Sequence, residues 1–108
     1  MEKWFLKLYI KAFCSILMAS SSNYVRVLGC IIRHTNYSNE LDLTPKEIGN
    51  LVNCSPDTVN RVIKDLIACD FIRKCSEKCY MINPACLMRG NYCRFAFLCK
   101  KYDDLILK

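Results

Sequence analysis

A chain of 108 residues with 53% hydrophobic content can bury one core, so a single domain over residues 1–108 is expected. Sixteen Lys and Arg against ten Asp and Glu leave a net charge of +6, which favours a polyanionic partner without specifying one. Three glycines that form no G-x-x-x-x-G-K-[ST] loop, and a single histidine, exclude a phosphate-cradling nucleotide site and paired-histidine metal chemistry, so no enzyme and no catalytic residue is expected.

The first predicted element is a helix from Lys3 to Ala19. Lys3, Lys7, Lys11 and Ser15 recur every four residues and form one narrow polar stripe. Trp4, Phe5, Leu8, Tyr9, Phe13, Ile16 and Leu17 cover the rest, more perimeter than one neighbour buries. That excess suits either a homodimer interface or a central helix of one monomer. Lys7 and Lys11 interrupt the apolar stretch before it reaches the roughly 20 residues that span a bilayer, and with Glu2 they spoil a signal-peptide core. The expectation is a cytoplasmic protein with no membrane partner.

Ser20 to Asn23 supply a turn and a helix cap. A second helix follows on Tyr24, Val27, Leu28, Ile31 and Ile32, with Arg26, Arg33 and His34 off its apolar stripe; the N-terminal helices together occupy residues 3–36. His34 reads as an exposed helix-end residue. Tyr37 to Glu40 is turn-like, and Leu41-Asp42-Leu43 alternates like a short half-buried strand.

Residues 44–69 carry the clearest local signals. Thr44-Pro45-Lys46-Glu47 combines an N-cap threonine, proline at the first helical position and glutamate three residues after the cap. This short helix buries Ile48, Leu51 and Val52. Asn53-Cys54-Ser55 then makes a turn, with Cys54 as a small apolar anchor, and Ser55-Pro56 starts a second helix whose apolar face is Val59, Val62, Ile63, Leu66 and Ile67. Two helices joined by a tight turn are a helix-turn-helix. Phe71 to Lys74 and Cys79 to Ile82 read as strands around Cys75-Ser76-Glu77-Lys78, a hairpin or wing over residues 71–82. Asn83-Pro84 ends it, Gly90-Asn91 turns again, and Tyr92, Phe95, Leu98, Cys99, Tyr102 and Ile106 mark a closing helix over 92–106. The fold class is mainly α with a small β-hairpin (α+β): a winged helix-turn-helix flanked by N- and C-terminal helices.

In that fold the second helix lies in the major groove of double-stranded DNA. Ser55, Pro56, Asp57 and Thr58 occupy its leading end, while Asn60, Arg61 and Lys64 point away from the core to read bases. Arg73, Lys74 and Lys78 on the wing suit phosphates beside the groove. The basic surplus lies elsewhere, however: residues 44–82 are only +1, whereas 1–36 carry +4 and 83–108 carry +3. A winged helix used for protein contact, or a transcriptional repressor, therefore stays open beside the DNA reading.

Nine cysteines, an odd number behind no export signal, are expected to be thiols in a reducing cytosol. Cys69, Cys75, Cys79, Cys86, Cys93 and Cys99 crowd the C-terminal part, but no C-x-x-C occurs, so neither metal nor cofactor is expected. Free cysteine then serves as a small hydrophobe.

The element order, from Phe5 to about Tyr102, resembles the firmicute plasmid replication protein family RepL. The stretches that carry it are Leu43-Thr44-Pro45-Lys46-Glu47-Ile48-Gly49 with Ser55-Pro56-Asp57-Thr58-Val59, then Val62-Ile63-Lys64-Asp65-Leu66, and Tyr80-Met81-Ile82-Asn83-Pro84 followed by Met88-Arg89-Gly90-Asn91. The first two are shared by many winged helices; the Tyr-x-Ile-Asn-Pro and Arg-Gly-Asn pieces are the more particular. The resemblance implies binding to a plasmid origin and promotion of initiation, with host replication proteins supplying polymerase and helicase.

Overall fold

The computed structural model describes residues 14–89 and 92–105. Lys3, Lys7, Lys11, the aromatic positions up to Phe13, Gly90, Asn91 and Ile106 lie outside the described residues. Residues 14–18 are helical, the end of the first expected helix. Cys14 is fully buried there, while Ile16 is 70% exposed.

Helix α1, Asn23–His34, starts at Ser22, whose hydroxyl accepts from the Val25 amide at 3.3 Å, and carries Arg33 in its last turn, a cation suited to the negative end of the helix. Val27, Cys30, Ile31 and Ile32 face the core. Gly29 permits close packing on residues 14–18, since a Cβ there would meet Leu17 Cβ at 2.7 Å. His34 is exposed as expected, with Nδ1 3.0 Å from the Cys30 carbonyl oxygen.

Three strands follow: β1, Glu40–Leu41, then after the helix pair β2, Ile72–Ser76, and β3, Cys79–Ile82. They form one antiparallel sheet in the order β1-β3-β2. The expected strand at Leu41 begins one residue earlier and pairs with the hairpin, Glu40 opposite Met81 and Leu41 opposite Tyr80. Cys75 and Ser76, expected in the hairpin loop, belong to β2. The pairing passes from Lys74–Tyr80 to Ser76–Cys79, so one extra residue bulges out of the strand and only Glu77 and Lys78 turn.

Helices α2, Pro45–Val52, and α3, Pro56–Ala68, pack with α1 and the inner face of the sheet around Ile31, Leu41, Ile48, Val59, Ile72 and Ile82. A second, smaller cluster of Met81, Leu98 and Tyr102 seats the last helix, α4 (Phe95–Asp104), on the sheet. A 3₁₀ turn, Tyr92–Arg94, precedes it, and Lys101 pairs with Glu40 of β1. Leu98 and Tyr102 are buried as the periodicity required. Phe97, off that stripe, is 60% exposed.

The segment after the hairpin is tied to the rest through Asn39. This residue is fully buried and holds a left-handed backbone, φ 61°, which asparagine tolerates better than most residues. Its Nδ2 donates to the carbonyls of Ile82 (3.2 Å) and Leu87 (2.7 Å), and its Oδ1 accepts from the Arg89 amide at 2.9 Å. The Arg89 Nε donates to the Thr35 carbonyl just beyond α1, at 3.3 Å.

Candidate nucleic-acid interface

The angle between α2 and α3 is set by their shared turn. Thr44 and Glu47 complete a reciprocal capping box, with the Thr44 amide donating to Glu47 Oε1 at 2.8 Å and the Glu47 amide to Thr44 Oγ1 at 3.2 Å. Asn53 ends α2 in a left-handed conformation, φ 59°, and the Cys54 amide donates to the Gly49 carbonyl at 2.9 Å. The turn presses on the helix here, for a Cβ at Gly49 would lie 2.5 Å from the Cys54 carbonyl oxygen. In an open helix Gly→Ala gains up to about 1 kcal/mol. Gly49→Ala is expected to do the reverse, costing about 1 kcal/mol because the overlap is with backbone. A urea midpoint at or above that of the parent would show that the turn has room.

Arg26, read from sequence only as lying off the apolar stripe, braces this turn. Its Nε donates to the Val52 carbonyl at 3.1 Å, its Nη1 to those of Ser20 and Ser21 at 3.3 Å each, and its Nη2 to Asn23 Oδ1 at 2.6 Å and Cys54 Sγ at 3.3 Å. One guanidinium thereby satisfies a carbonyl at the end of α2 and joins it to the start of α1. No sequence signal marks it, because the Val52 and Cys54 contacts span 26 and 28 residues.

The turn sets the outward face of α3. Ser55 caps the helix, accepting from the Thr58 amide at 3.3 Å with its hydroxyl 3.1 Å from Thr58 Oγ1. Ser55, Pro56 and Asp57 are exposed and Thr58 is half-buried. Val59, Val62, Ile63 and Leu66 are buried, which leaves Asn60, Arg61 and Lys64 exposed. With Asp57, Ile63 and Ile67 these three line a shallow groove. Arg61 and Lys64 make no ion pair with Asp57 or Asp65 among the described residues, so their donors face solvent. Leu51 and Ile67, expected to be apolar contacts, are 51% and 43% exposed.

The three wing cations separate into two kinds. Lys74 and Lys78 are exposed, Lys78 in the two-residue turn. Arg73 is drawn inward, its side chain 17% exposed. Its Nε and Nη2 donate to the Asp70 carboxylate at 2.9 and 3.1 Å, its Nη1 donates to the Tyr102 carbonyl at 2.9 Å, and its guanidinium lies 4.2 Å from the centre of the Tyr102 ring. Alternation along the strand could not reveal this, because the residues that claim Arg73 come from the end of α3 and from α4.

Among the described residues no group of three or more His, Cys, Asp or Glu is placed to hold a metal ion. Cys14 and Cys30 are fully buried, and burial pushes the Cys30 thiol up to about 11, leaving it an inert apolar filler. No helix among the described residues is long and apolar enough to cross a membrane.

The family described as firmicute plasmid replication protein (RepL) matches residues 1–106. The chain belongs to the RepL family. No curated protein and no solved structure matches it. Within this RepL chain the segment after the hairpin ties distant parts of the fold together. Pro84 is buried, the Asn83 amide donates to the Phe71 carbonyl at 2.8 Å, Asn83 Nδ2 donates to the Asp70 carbonyl at 3.0 Å, and Arg89 joins Asn39 to the end of α1.

Asp70 anchors the same joint. It ends α3 at φ 61°, with the Asp70 amide donating to the Ile67 carbonyl and the Phe71 amide to that of Leu66, a Schellman closure that usually takes glycine. Its carboxylate accepts from Arg73 and, at 2.9 Å, from the Tyr102 hydroxyl. The Arg73 hydrogen bonds hold the Asp70 carboxyl below its ordinary 3.8, while burial and then this carboxylate push the Tyr102 phenol up. A depressed folded value means stability present above 3.8 and lost as pH falls through the folded value. Asp70→Asn should therefore narrow the difference between urea midpoints at about pH 7 and about pH 3. An unchanged difference would show that the pair contributes nothing to acid sensitivity.

Proposed function

We propose that this RepL chain binds double-stranded DNA sequence-specifically as a winged helix and acts as a plasmid or phage replication initiator. Helix α3 enters the major groove, Asn60 and Arg61 read base edges with Lys64 beside them, Ser55, Pro56, Asp57 and Thr58 approach the backbone at the helix start, and Lys74 and Lys78 rest on neighbouring phosphates. Arg73 supports the hairpin from behind. The observation that carries this reading is the outward face of α3, whose polar residues have side-chain donors free of ion pairing among the described residues and whose placement depends on the Arg26-braced turn.

The protein works in the cytoplasm as a homodimer through its first and last helices, uses no catalytic group, metal or cofactor of its own, and relies on host replication proteins for polymerase and helicase action. The exposed Phe97 on α4 and Ile16 at the end of the first helix support such an interface. A repressor would use the same DNA-facing residues, and family membership favours the initiator.

The exposed Leu51 and Ile67 beside α3 favour a second reading, a protein-contact module. Selection of bound duplexes from a random pool decides between them. A single enriched motif is expected, and half-sites about ten base pairs apart would accompany a two-fold dimer. No enrichment at low salt would retire the DNA reading in favour of protein contact.

A further inference from the structure

The hairpin of β2 and β3 brings two thiols together. Continuing the regular ladder of Ile72–Ile82, Arg73–Met81 and Lys74–Tyr80 sets Cys75 opposite Cys79, on the same face of the hairpin. The bulge between Lys74 and Ser76 sets both Cys75 and Ser76 against Cys79, so the two cysteines stay adjacent, with their Sγ atoms 2.7 Å apart. Both residues are half-buried. A cleft lined by Glu40, Ser76, Lys101 and Asp104 reaches them from solvent. Two sulfurs on adjacent strands at this separation need to close by only about 0.7 Å to reach the length of an S–S bond.

The geometry points to Cys75 and Cys79 as a dithiol that closes into an intrachain disulfide across the hairpin when the protein meets an oxidised low-molecular-weight thiol. Cys75 gives up its proton and its sulfur attacks one sulfur of the dissolved disulfide. That S–S bond breaks, and the departing thiolate takes up the proton. The mixed disulfide on Cys75 is then attacked by the Cys79 sulfur as Cys79 loses its proton, and a second small thiol leaves with that proton. Two protein thiols have been oxidised to one disulfide, and one small disulfide reduced to two small thiols. Burial, the adjoining Cys75 thiol and the Glu40 and Asp42 carboxylates push the Cys79 thiol up to about 12. The reduced pair thus gains little from ionisation, which favours the closed form once it is made.

Incubation of the full chain with oxidised and reduced glutathione, an acid quench, alkylation of remaining thiols and tryptic mapping tests this. Cleavage after Lys74, Lys78 and Arg89 separates residues 75–78 from 79–89, so the disulfide holds two peptides together. The linked pair is expected with an equilibrium constant at least about tenfold above that of any other cysteine pair. It should persist in Cys86→Ser, whose cysteine shares the second peptide, and vanish in Cys75→Ser and Cys79→Ser. Recovery of Cys75 and Cys79 as alkylated thiols or separate glutathione adducts, under conditions that already link other cysteines, would overturn the proposal. So would a link that survives Cys79→Ser or is lost in folded Cys86→Ser. Should the serine variants at 75 or 79 fail to fold, the parent and Cys86→Ser maps decide.

Discussion

Asn39→Ala is expected to destabilise the protein by about 3 to 4 kcal/mol, which for a domain of this size lowers the melting temperature by on the order of 15 °C. The side chain satisfies three backbone groups at once, the carbonyls of Ile82 and Leu87 and the amide of Arg89. Each left unmade in a buried setting costs roughly 1 to 3 kcal/mol before relaxation or entry of water. Alanine also loses asparagine's tolerance of φ 61°. Two further variants separate these contributions. Asn39→Gly keeps the backbone conformation and loses the hydrogen bonds, so it should recover only the conformational part. Asn39→Asp keeps an acceptor for Arg89 but sets a carboxylate against two carbonyl oxygens, and should be at least as damaging as alanine. A melting temperature within a few degrees of the parent for Asn39→Ala would mean that the segment after the hairpin is held by other contacts.

Arg61→Ala is expected to weaken the selected duplex by about 1 to 3 kcal/mol, roughly 5- to 140-fold, and to blur preference at one base pair. The reason is geometric. Arg61 stands on the exposed face of α3 with no ion pair among the described residues, so its planar fork can pair bidentately with guanine without first breaking an internal contact. Asn60→Ala should act likewise at an adenine. Lys78→Ala is the contrasting control: a cation in the hairpin turn should affect specific and random duplexes alike and lower the salt slope by about 1, leaving the preferred sequence unchanged. Because Arg61 is exposed, the variant should keep the parent's unfolding midpoint. If a folded Arg61→Ala protein and the corresponding Asn60 variant both bind the same duplexes with unchanged affinity and preference, α3 does not read bases.

The elements that sequence alone determined are those whose causes lie three or four residues apart. Thr44 with Glu47 and Ser55 with Thr58 are local hydrogen-bonding pairs, so both helix starts could be placed at Pro45 and Pro56. The spacing of Val59, Val62, Ile63 and Leu66 distinguished the buried side of α3 from the side carrying Asn60, Arg61 and Lys64. Tertiary structure decided which polar groups remain available and which are consumed. Arg73 and Lys74 are neighbours with the same charge, yet α4 brings Tyr102 onto Arg73 and leaves Lys74 exposed. Asn39 sits in a turn-like stretch that reads as surface, but its partners are 43 to 50 residues away, and chain closure buries it. The facing of Cys75 and Cys79 likewise required the register of β2 on β3. Hydrophobic periodicity and caps report what a segment prefers by itself; a buried amide, a claimed guanidinium or a bulged strand exists only once distant segments have met.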